Sequence, residues 1–232
     1  MIFKNLKELP FCESNYIKPK RFSYESNGKF CTWDFIESKD SVSILFCESN
    51  YIKPKRFSYE SNGKFCTWDF IESKDSVSIL LYHKELKSFI FVRQFRIPLW
   101  YHQKQDKNYH KDENMGYTIE LCSGLVDKDL PLEQIAKEEC IEELGYAPKE
   151  FEKVGDFYTG FGSGVSKQSF YFAIVDENDK ICDGGGVDDE QIEAVFVKIN
   201  EYEEFSKKII HTPLLDFAYL WFLKEKKELC LK

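Results

Sequence analysis

The sequence predicts an α+β fold in which a mixed β-sheet lies between helices. Two observations predict it. Runs rich in β-branched and aromatic residues recur along the chain, and they are interrupted by one strongly periodic helical segment, residues 131–144, and by helical segments near the C-terminus. With 232 residues, of which 43% are apolar, the chain can bury one substantial core and a small additional domain.

A perfect tandem repeat occupies the N-terminal third of the sequence. The stretch FCESNYIKPKRFSYESNGKFCTWDFIESKDSVSIL occurs at Phe11–Leu45 and again, unchanged, at Phe46–Leu80. Repeat architectures need at least three stacked copies, so one duplication does not indicate such an architecture. Each copy contains two β-rich runs joined by Glu-Ser-Asn-Gly, which predicts a hairpin with Asn-Gly at its turn.

The predicted domain organisation follows from this repeat. The second copy continues directly into further strands, so we expect it to occupy the native position in the sheet. The first copy is then an extra hairpin, an exchanged strand pair or a loose segment. The predicted parts are residues 1–45 with the first copy, residues 46–75 as a small antiparallel β domain, and residues 76–232 as the main domain with the C-terminal helices.

The remaining elements are predicted from local pattern. Strands are expected over SVSILLYH, KSFIFVRQF, YTIELC, FEKVGDFYTG, SKQSFYFAIV and IEAVFV. A polar loop is expected from His102 to Asn114. One helix is expected near Glu201–Ile209, and a last helix begins at Thr212 and Pro213, which suit an N-terminal cap and a first turn.

The segment from Pro131 to Gly145 is the clearest predicted helix. Proline suits a first helical turn, and glycine suits a left-handed C-terminal stop. Apolar residues recur between them at helical steps, namely Leu132, Ile135, Ala136, Cys140 and Leu144. This pattern predicts a helix of about three to four turns.

The end of this helix, KEECIEELGY, places four glutamates within six residues. Each like-charge pair four residues apart costs roughly 0.2–0.5 kcal/mol, and the helix dipole disfavours negative charge at this end. Glu139, Glu142 and Glu143 share one sector of the helix beside the apolar stripe, so their carboxylates should border the core. Converging oxygens with almost no cations suit a hard divalent ion, Mg²⁺ or Mn²⁺, better than they suit a solvated acidic face.

Composition limits the partners and the compartment. A net charge of −8 and a pI near 5.2 disfavour nucleic acid or an anionic membrane as the main partner. The start, MIFKNLKELPF, lacks the apolar stretch of a signal peptide, and no window approaches the roughly 20 apolar residues of a membrane span. Eight cysteines show no CxxC spacing. Reduced thiols and a cytoplasmic location are therefore expected.

The stretch from Gly124 to Tyr146, GLVDKDLPLEQIAKEECIEELGY, resembles the Nudix box: a glycine, a loop, a helix with a Glu pair preceded by another Glu, and a closing glycine. Glu139 lies fifteen residues after Gly124, and Gly145 lies twenty-one after it. The resemblance extends over roughly Tyr51–Phe222 to the nucleoside-diphosphate-sugar pyrophosphatases. It is carried there by TWDFIESKDSVSILLYH, VRQFRIPLW, IELCSGLVD and GGGVDDEQIE.

This resemblance implies a Nudix α/β/α sandwich preceded by a small N-terminal antiparallel β domain, assembled as a homodimer. It assigns metal binding to the backbone carbonyl of Ser123 and to Glu139, Glu142 and Glu143, the last two also being catalytic. The implied reaction is Mg²⁺- or Mn²⁺-dependent hydrolysis of a nucleoside diphosphate sugar to nucleoside monophosphate and sugar phosphate. UDP-glucose is the first expected substrate and ADP-ribose the second, with a GDP-mannose-type hydrolase as the alternative.

Four further residues are candidates for this chemistry. Arg96 can contact phosphate through its planar guanidinium, with a surface ion pair as the alternative. Glu120 can add a metal ligand. Glu190 is the candidate base or further metal ligand, with Glu193 as its rival and a solvated acidic loop as the alternative for both. Trp68 can stack on a nucleobase or be an ordinary core tryptophan.

Two positions depart from the box. Leu130 stands where the box normally has Glu, and Glu138 stands where it normally has Arg or Lys. That basic residue usually steadies the metal-binding carboxylate. Lys137 replaces it only in part, because adjacent residues on a helix point in different directions. These departures motivate one competing hypothesis, a catalytically weak Nudix domain that binds a nucleotide sugar as a sensor.

Overall fold

The structure is a computed structural model that describes residues 4–9, 18–26, 29–37, 53–107, 109, 113–187 and 190–230. Parts of both predicted repeat segments, of the predicted polar loop and of the acidic loop lie outside these ranges. The chain divides into two compact units. The first comprises Met1–Asp75 and Tyr158–Lys167, and the second comprises Ser76–Phe157 and Gln168–Lys232.

The described ranges contain the following strands: β1 (Lys4–Leu9), β2 (Lys18–Ser26), β3 (Lys29–Glu37), β4 (Lys53–Ser61), β5 (Lys64–Glu72), β6 (Ser76–His83), β7 (Ser88–Phe95), β8 (Tyr117–Glu120), β9 (Cys122–Leu125), β10 (Glu152–Thr159), β11 (Gly164–Val175) and β12 (Ile192–Lys198). Their helices are α1 (Ile97–Gln105), α2 (Leu132–Leu144), α3 (Tyr202–Ser206), α4 (Pro213–Glu225) and α5 (Lys227–Cys230), with 3₁₀ turns at Glu177–Asp179 and Ile199–Glu201. Within these residues, no helix combines the length and apolar character that a membrane crossing requires.

In the first unit, the hairpin β4–β5 belongs to the second repeat copy. Its turn residues, Asn62 and Gly63, have φ angles of 53° and 73°, the left-handed values that a two-residue hairpin turn requires. The predicted Asn-Gly turn is therefore confirmed. β1 pairs antiparallel with β4, and β5 pairs parallel with the first residues of β11, Gly164 and Val165. The first copy forms a separate hairpin, β2–β3, with the corresponding register.

In the second unit, the sheet is built around β6 and β7. These strands pair antiparallel beside the turn that joins them, at residues 81–83 and 88–90. Farther from the turn, β9 pairs with β6 and β8 pairs with β7, both antiparallel. β11 runs parallel to β6 and β12 antiparallel to β7. The sheet is therefore mixed, as predicted.

Both faces of this sheet are covered by helices. Successive residues of a strand point to opposite faces, and β6 shows the result. Val77, Ile79 and Leu81 belong to a core cluster that includes buried residues of α2, whereas Leu80 and Tyr82 belong to a second cluster that includes buried residues of α4. This arrangement confirms the α+β fold with a sheet between helix layers.

Helix α1 corrects one prediction. The expected polar loop began at His102, but the helix continues to Gln105. Its sequence lacks a long apolar period, and the helix is held by a buried polar contact instead. The side-chain oxygen of the buried Gln103 accepts a hydrogen bond from the amide of Gly116 at 2.7 Å. Such a long-range polar contact is not visible in a periodicity pattern.

Candidate active site

Helix α2 carries most of the predicted site. It spans Leu132–Leu144 after Pro131, and Gly145 ends it with a φ of 79°. The predicted helix and its left-handed stop are therefore confirmed. The apolar stripe predicted from the sequence contributes four buried residues, Ile135, Ala136, Cys140 and Leu144, and Glu143 is buried beside them.

Three carboxylates of α2 border the core. Glu143 is only 5% exposed, and Glu139 and Glu142 are half-buried. Burial raises the pKa of Glu143 to about 8 and that of Glu139 to about 7. The charge of Glu190 contributes to both shifts, while a hydrogen bond from the amide of Ser123 to Glu143 Oε2, at 3.1 Å, opposes the first. Ionisation of both Glu139 and Glu143 is therefore unfavourable without a nearby positive charge.

Position 124 on strand β9 is occupied by glycine, and the side chain of Glu139 lies where a Cβ would stand. A Cβ atom at this position would lie 1.9 Å from both Cδ and Oε1 of Glu139. The Glu139 carboxylate thus lies directly against the backbone of β9, and a larger residue at position 124 would have to displace it. Ser123, whose carbonyl is a predicted metal ligand, precedes Gly124 on the same strand and is tied to Glu143 through its amide.

A glycine-rich loop satisfies the C-terminal end of α2. The amide of Gly185 donates to the carbonyl of Glu143, and the amide of Gly186 donates to the carbonyl of Glu142, both at 2.9 Å. The three glycines of this loop have φ angles of 73°, 107° and 89°, and a Cβ at Gly184 would lie 2.6 Å from the Glu143 carbonyl oxygen. Because these amides bind the otherwise unpaired carbonyls, they reduce the local negative potential beside the glutamates.

The same loop brings Glu190 toward the acidic face of α2, which we define as Glu139, Glu142 and Glu143. Its Oε2 accepts a hydrogen bond from the amide of Val187 at 3.3 Å, and its charge influences Glu139, Glu143 and Arg96. The rival candidate, Glu193, is bound by Arg93 instead, with Oε2 at 2.9 Å from Nη1. The two acids are therefore in different electrostatic surroundings.

Arg96 and Glu120 form one bidentate ion pair. Nε lies 2.9 Å from Oε1, and Nη2 lies 2.7 Å from Oε2. Arg96 directly precedes α1 and Glu120 ends β8, so the pair links two elements far apart in sequence. The charges of Glu143 and Glu190 also act on the guanidinium. The predicted phosphate contact and the predicted extra metal ligand thus hold each other beside the acidic face.

Lys128 contacts helix α2, which the sequence did not predict. Its Nζ lies 2.7 Å from Glu138 Oε2 and 3.9 Å from Glu142 Oε1. The only sequence signal was a lysine in the loop between the box glycine and the helix. Nothing in its spacing from Glu138 indicated that the loop would fold back onto α2.

Trp68 lies on β5 in the first unit. It is 50% exposed, so it is not a core residue, and its indole nitrogen donates to the carbonyl of Gly162 at 3.2 Å. This hydrogen bond holds the indole while leaving half of its surface accessible.

The donor set suits a hard divalent ion, although the carboxylates are not gathered around one point. In the part of the chain that the structure describes, no three His, Cys, Asp or Glu side chains converge closely enough to enclose a metal ion. The fit rests on their chemistry. The carboxylate oxygens of Glu139, Glu142 and Glu143 share one helix face, and burial makes the charges of Glu139 and Glu143 costly. A cation such as Mg²⁺ or Mn²⁺ relieves that cost and prefers oxygen ligands.

Comparison with known proteins gives relatives with consistent names. No family model matches the chain. It is 36% identical over 121 residues to a GDP-mannose pyrophosphatase of Cronobacter sakazakii, covering 52% of this chain and 58% of the relative. It is also 36% identical over 115 residues to the GDP-mannose pyrophosphatase of Salmonella typhimurium, covering 50% and 55%. The chain thus spans just over half the length of the curated relatives it matches.

A solved structure described as an ADP compounds hydrolase shares the fold. Its TM-score is 0.59 at 14% sequence identity, with 79% of this chain and 90% of the other covered. The shared fold agrees with the α/β/α arrangement of the second unit. The names of the sequence relatives agree with the resemblance predicted from Gly124–Tyr146: this chain resembles the Nudix hydrolases of the nucleoside-diphosphate-sugar pyrophosphatase branch.

Proposed function

We propose that this chain hydrolyses the pyrophosphate bond of a nucleoside diphosphate sugar with the help of a divalent cation, giving a nucleoside monophosphate and a sugar phosphate. The observation that carries the proposal is the buried acidic face of α2. Glu139 and Glu143 have pKa values raised to about 7 and about 8, and Glu139 lies against the backbone of Gly124. Such a face is costly in isolation and is explained by a cation.

The metal would be held by the carbonyl of Ser123 and by Glu139, Glu142 and Glu143, with Glu120 as a further candidate. Mg²⁺ or Mn²⁺ suits these hard oxygen donors. When bound, such an ion supplies positive charge that stabilises the oxygens on phosphorus and lowers the pKa of a coordinated water.

The protein's own side chains have separate roles in this proposal. Glu120 fixes the plane of the Arg96 guanidinium through two hydrogen bonds, so Arg96 can contact phosphate oxygens without losing its orientation. Glu190, on the glycine-rich loop, would accept the proton of the attacking water. Trp68, half-exposed on β5, would stack on the nucleobase. We further propose a cytoplasmic homodimer.

The substrate class is proposed from two sources. The names of the relatives favour GDP-mannose, and the sequence features favour UDP-glucose and then ADP-ribose. Purified protein should be incubated with each compound in Mg²⁺ or Mn²⁺, and release of the nucleoside monophosphate should be measured. Turnover of at least one compound is expected. Tight binding without turnover would instead support the sensor function suggested by Leu130 and Glu138.

Substitutions on α2 test the assignment of the site. Glu142→Gln and Glu143→Gln should each lower turnover about a hundredfold, because a neutral amide is a poor ligand for a hard cation. Glu133→Gln is the matched control, since Glu133 is exposed in the first turn of the same helix. Near-normal turnover of both site variants, with intact folding, would overturn the assignment.

A further inference from the structure

The loop between the box glycine and α2 folds back so that Lys128 contacts the helix. Lys128 Nζ lies 2.7 Å from Glu138 Oε2, a direct ion pair, and 3.9 Å from Glu142 Oε1. The other carboxylate oxygen of Glu138 accepts a hydrogen bond from the side chain of Gln134 at 3.1 Å. Glu138 is therefore fixed on both sides, once from the loop and once from its own helix.

This ion pair lies within a strongly negative surface. Glu138 lies four residues before Glu142 on the same helix, so an unpaired charge at Glu138 would repel Glu142. Lys128 lowers the pKa of Glu138 through their hydrogen bond, and its own pKa is raised in return. Its charge also acts on Glu139, against the effect of burial.

Lys137 does not have this role. It is the cation nearest in sequence to Glu138, but among the described residues it forms no ion pair. Lys128 is ten residues away from Glu138 and reaches it through the loop. The positive charge that the box normally carries at position 138 is thus supplied from outside the helix.

We propose that Lys128 is a positioning residue of the metal site. It neutralises Glu138 and restrains Glu142, so that the helix face presents Glu139, Glu142 and Glu143 to a divalent cation without interference from a fourth carboxylate. The basic residue that is missing at position 138 is thus replaced by Lys128. Here the positive charge stands in the loop and the negative charge, Glu138, stands on the helix. This inference rests on the proposed metal-dependent function.

The main test compares Lys128→Met with Lys137→Met. Mn²⁺ affinity should be measured from the electron paramagnetic resonance signal of the free ion, and kcat at low and at saturating Mn²⁺. Lys128→Met should weaken Mn²⁺ binding about tenfold, the lower end of the effect of removing a residue that supports metal ligands. Its kcat should recover at saturating Mn²⁺, which a general loss of structure would not allow. Lys137→Met should match the wild type.

A second test exchanges the charges of residues 128 and 138. Lys128→Arg should bind Mn²⁺ as the wild type does, and the double variant Lys128→Glu/Glu138→Lys should recover most of the affinity that Lys128→Glu loses. Affinities of Lys128→Met and Lys137→Met that agree within about twofold would overturn the inference while leaving the proposed function intact. Absence of Mn²⁺ binding and hydrolysis in the wild type would overturn both. Far-UV circular dichroism confirms that each variant is folded.

Discussion

The carboxylate of Glu139 occupies the space where a side chain on Gly124 would begin. A Cβ at Gly124 would lie 1.9 Å from Glu139 Cδ, so any larger residue would have to displace this carboxylate. The first glycine of the box and its first helical metal-binding candidate, fifteen residues apart in sequence, are thus one structural unit.

Gly124→Ala should therefore lower metal-dependent turnover. The methyl group displaces the Glu139 carboxylate, and we expect turnover and Mn²⁺ affinity to fall about tenfold or more. Gly162→Ala is the control, because a Cβ there meets no atom within 4 Å. Steady-state kinetics over a range of Mn²⁺ concentrations measure both effects. Equal behaviour of the two variants would show that the close approach has no functional importance.

The stability of the metal-free protein should decrease as pH rises from about 5 to about 8. The folded-state pKa values of Glu139 and Glu143 are raised to about 7 and about 8 from an ordinary value of 4.5. In this window the unfolded chain loses its protons first, so ionisation favours unfolding. The contribution of Glu139 and Glu143 to the free energy of unfolding is fully present below pH 4.5 and is lost as pH rises through their folded-state pKa values.

Urea unfolding at several pH values measures this dependence. The double variant Glu139→Gln/Glu143→Gln should show a flatter profile and a higher stability near pH 8. A gain of about 1 kcal/mol corresponds to a rise in Tm of about 2–4 °C for a chain of this size. Saturating Mn²⁺ should also flatten the wild-type profile, because metal binding displaces the protons. Identical profiles for the wild type and the variant would contradict the buried acidic face.

Gly184→Ala should disrupt the end of α2. Gly184 has a φ of 73°, and a Cβ there would lie 2.6 Å from the Glu143 carbonyl oxygen. We expect a loss of about 1–3 kcal/mol and faster hydrogen exchange at the end of α2. Gly63→Ala is a matched control, since Gly63 has the same φ but no atom within 4 Å of a built Cβ. It should show the backbone cost without the effect on α2.

Glu190 and Glu193 should respond differently to neutralisation. Glu190→Gln removes the proposed base, and turnover should fall about 10²–10⁴-fold with loss of the acidic limb of the pH–rate profile. Glu193→Gln should leave turnover within about threefold of the wild type, because the carboxylate of Glu193 is bound to Arg93. The reverse order of effects would assign the base to Glu193.

Local patterns determined what was predictable from the sequence. The helix between Pro131 and Gly145 and the turn at Asn62–Gly63 depend on neighbouring residues, and both were found as predicted. Contacts between distant segments were not predictable. The pairing of Lys128 with Glu138 depends on the path of a loop whose composition permits many conformations.

In the candidate site too, local patterns were predictable and contacts between distant segments were not. Spacing alone selected Glu139, Glu142 and Glu143 as one face of a helix, and the structure shows them bordering the core. Spacing did not show that Arg96 and Glu120 bind each other, because that contact requires the end of β8 to lie beside the start of α1. Long-range register, rather than residue type, decides such pairs.

Direct Mn²⁺ titration is the most decisive measurement of the central claim, that a divalent ion stabilises the acidic face of α2. The free-ion paramagnetic signal should be followed with the wild type, Glu139→Gln, Glu143→Gln and the control Glu133→Gln, in the presence and absence of GDP-mannose. Saturable binding should occur in the wild type and the control and be at least about tenfold weaker in the two site variants. Equal affinity in all four proteins would contradict the account.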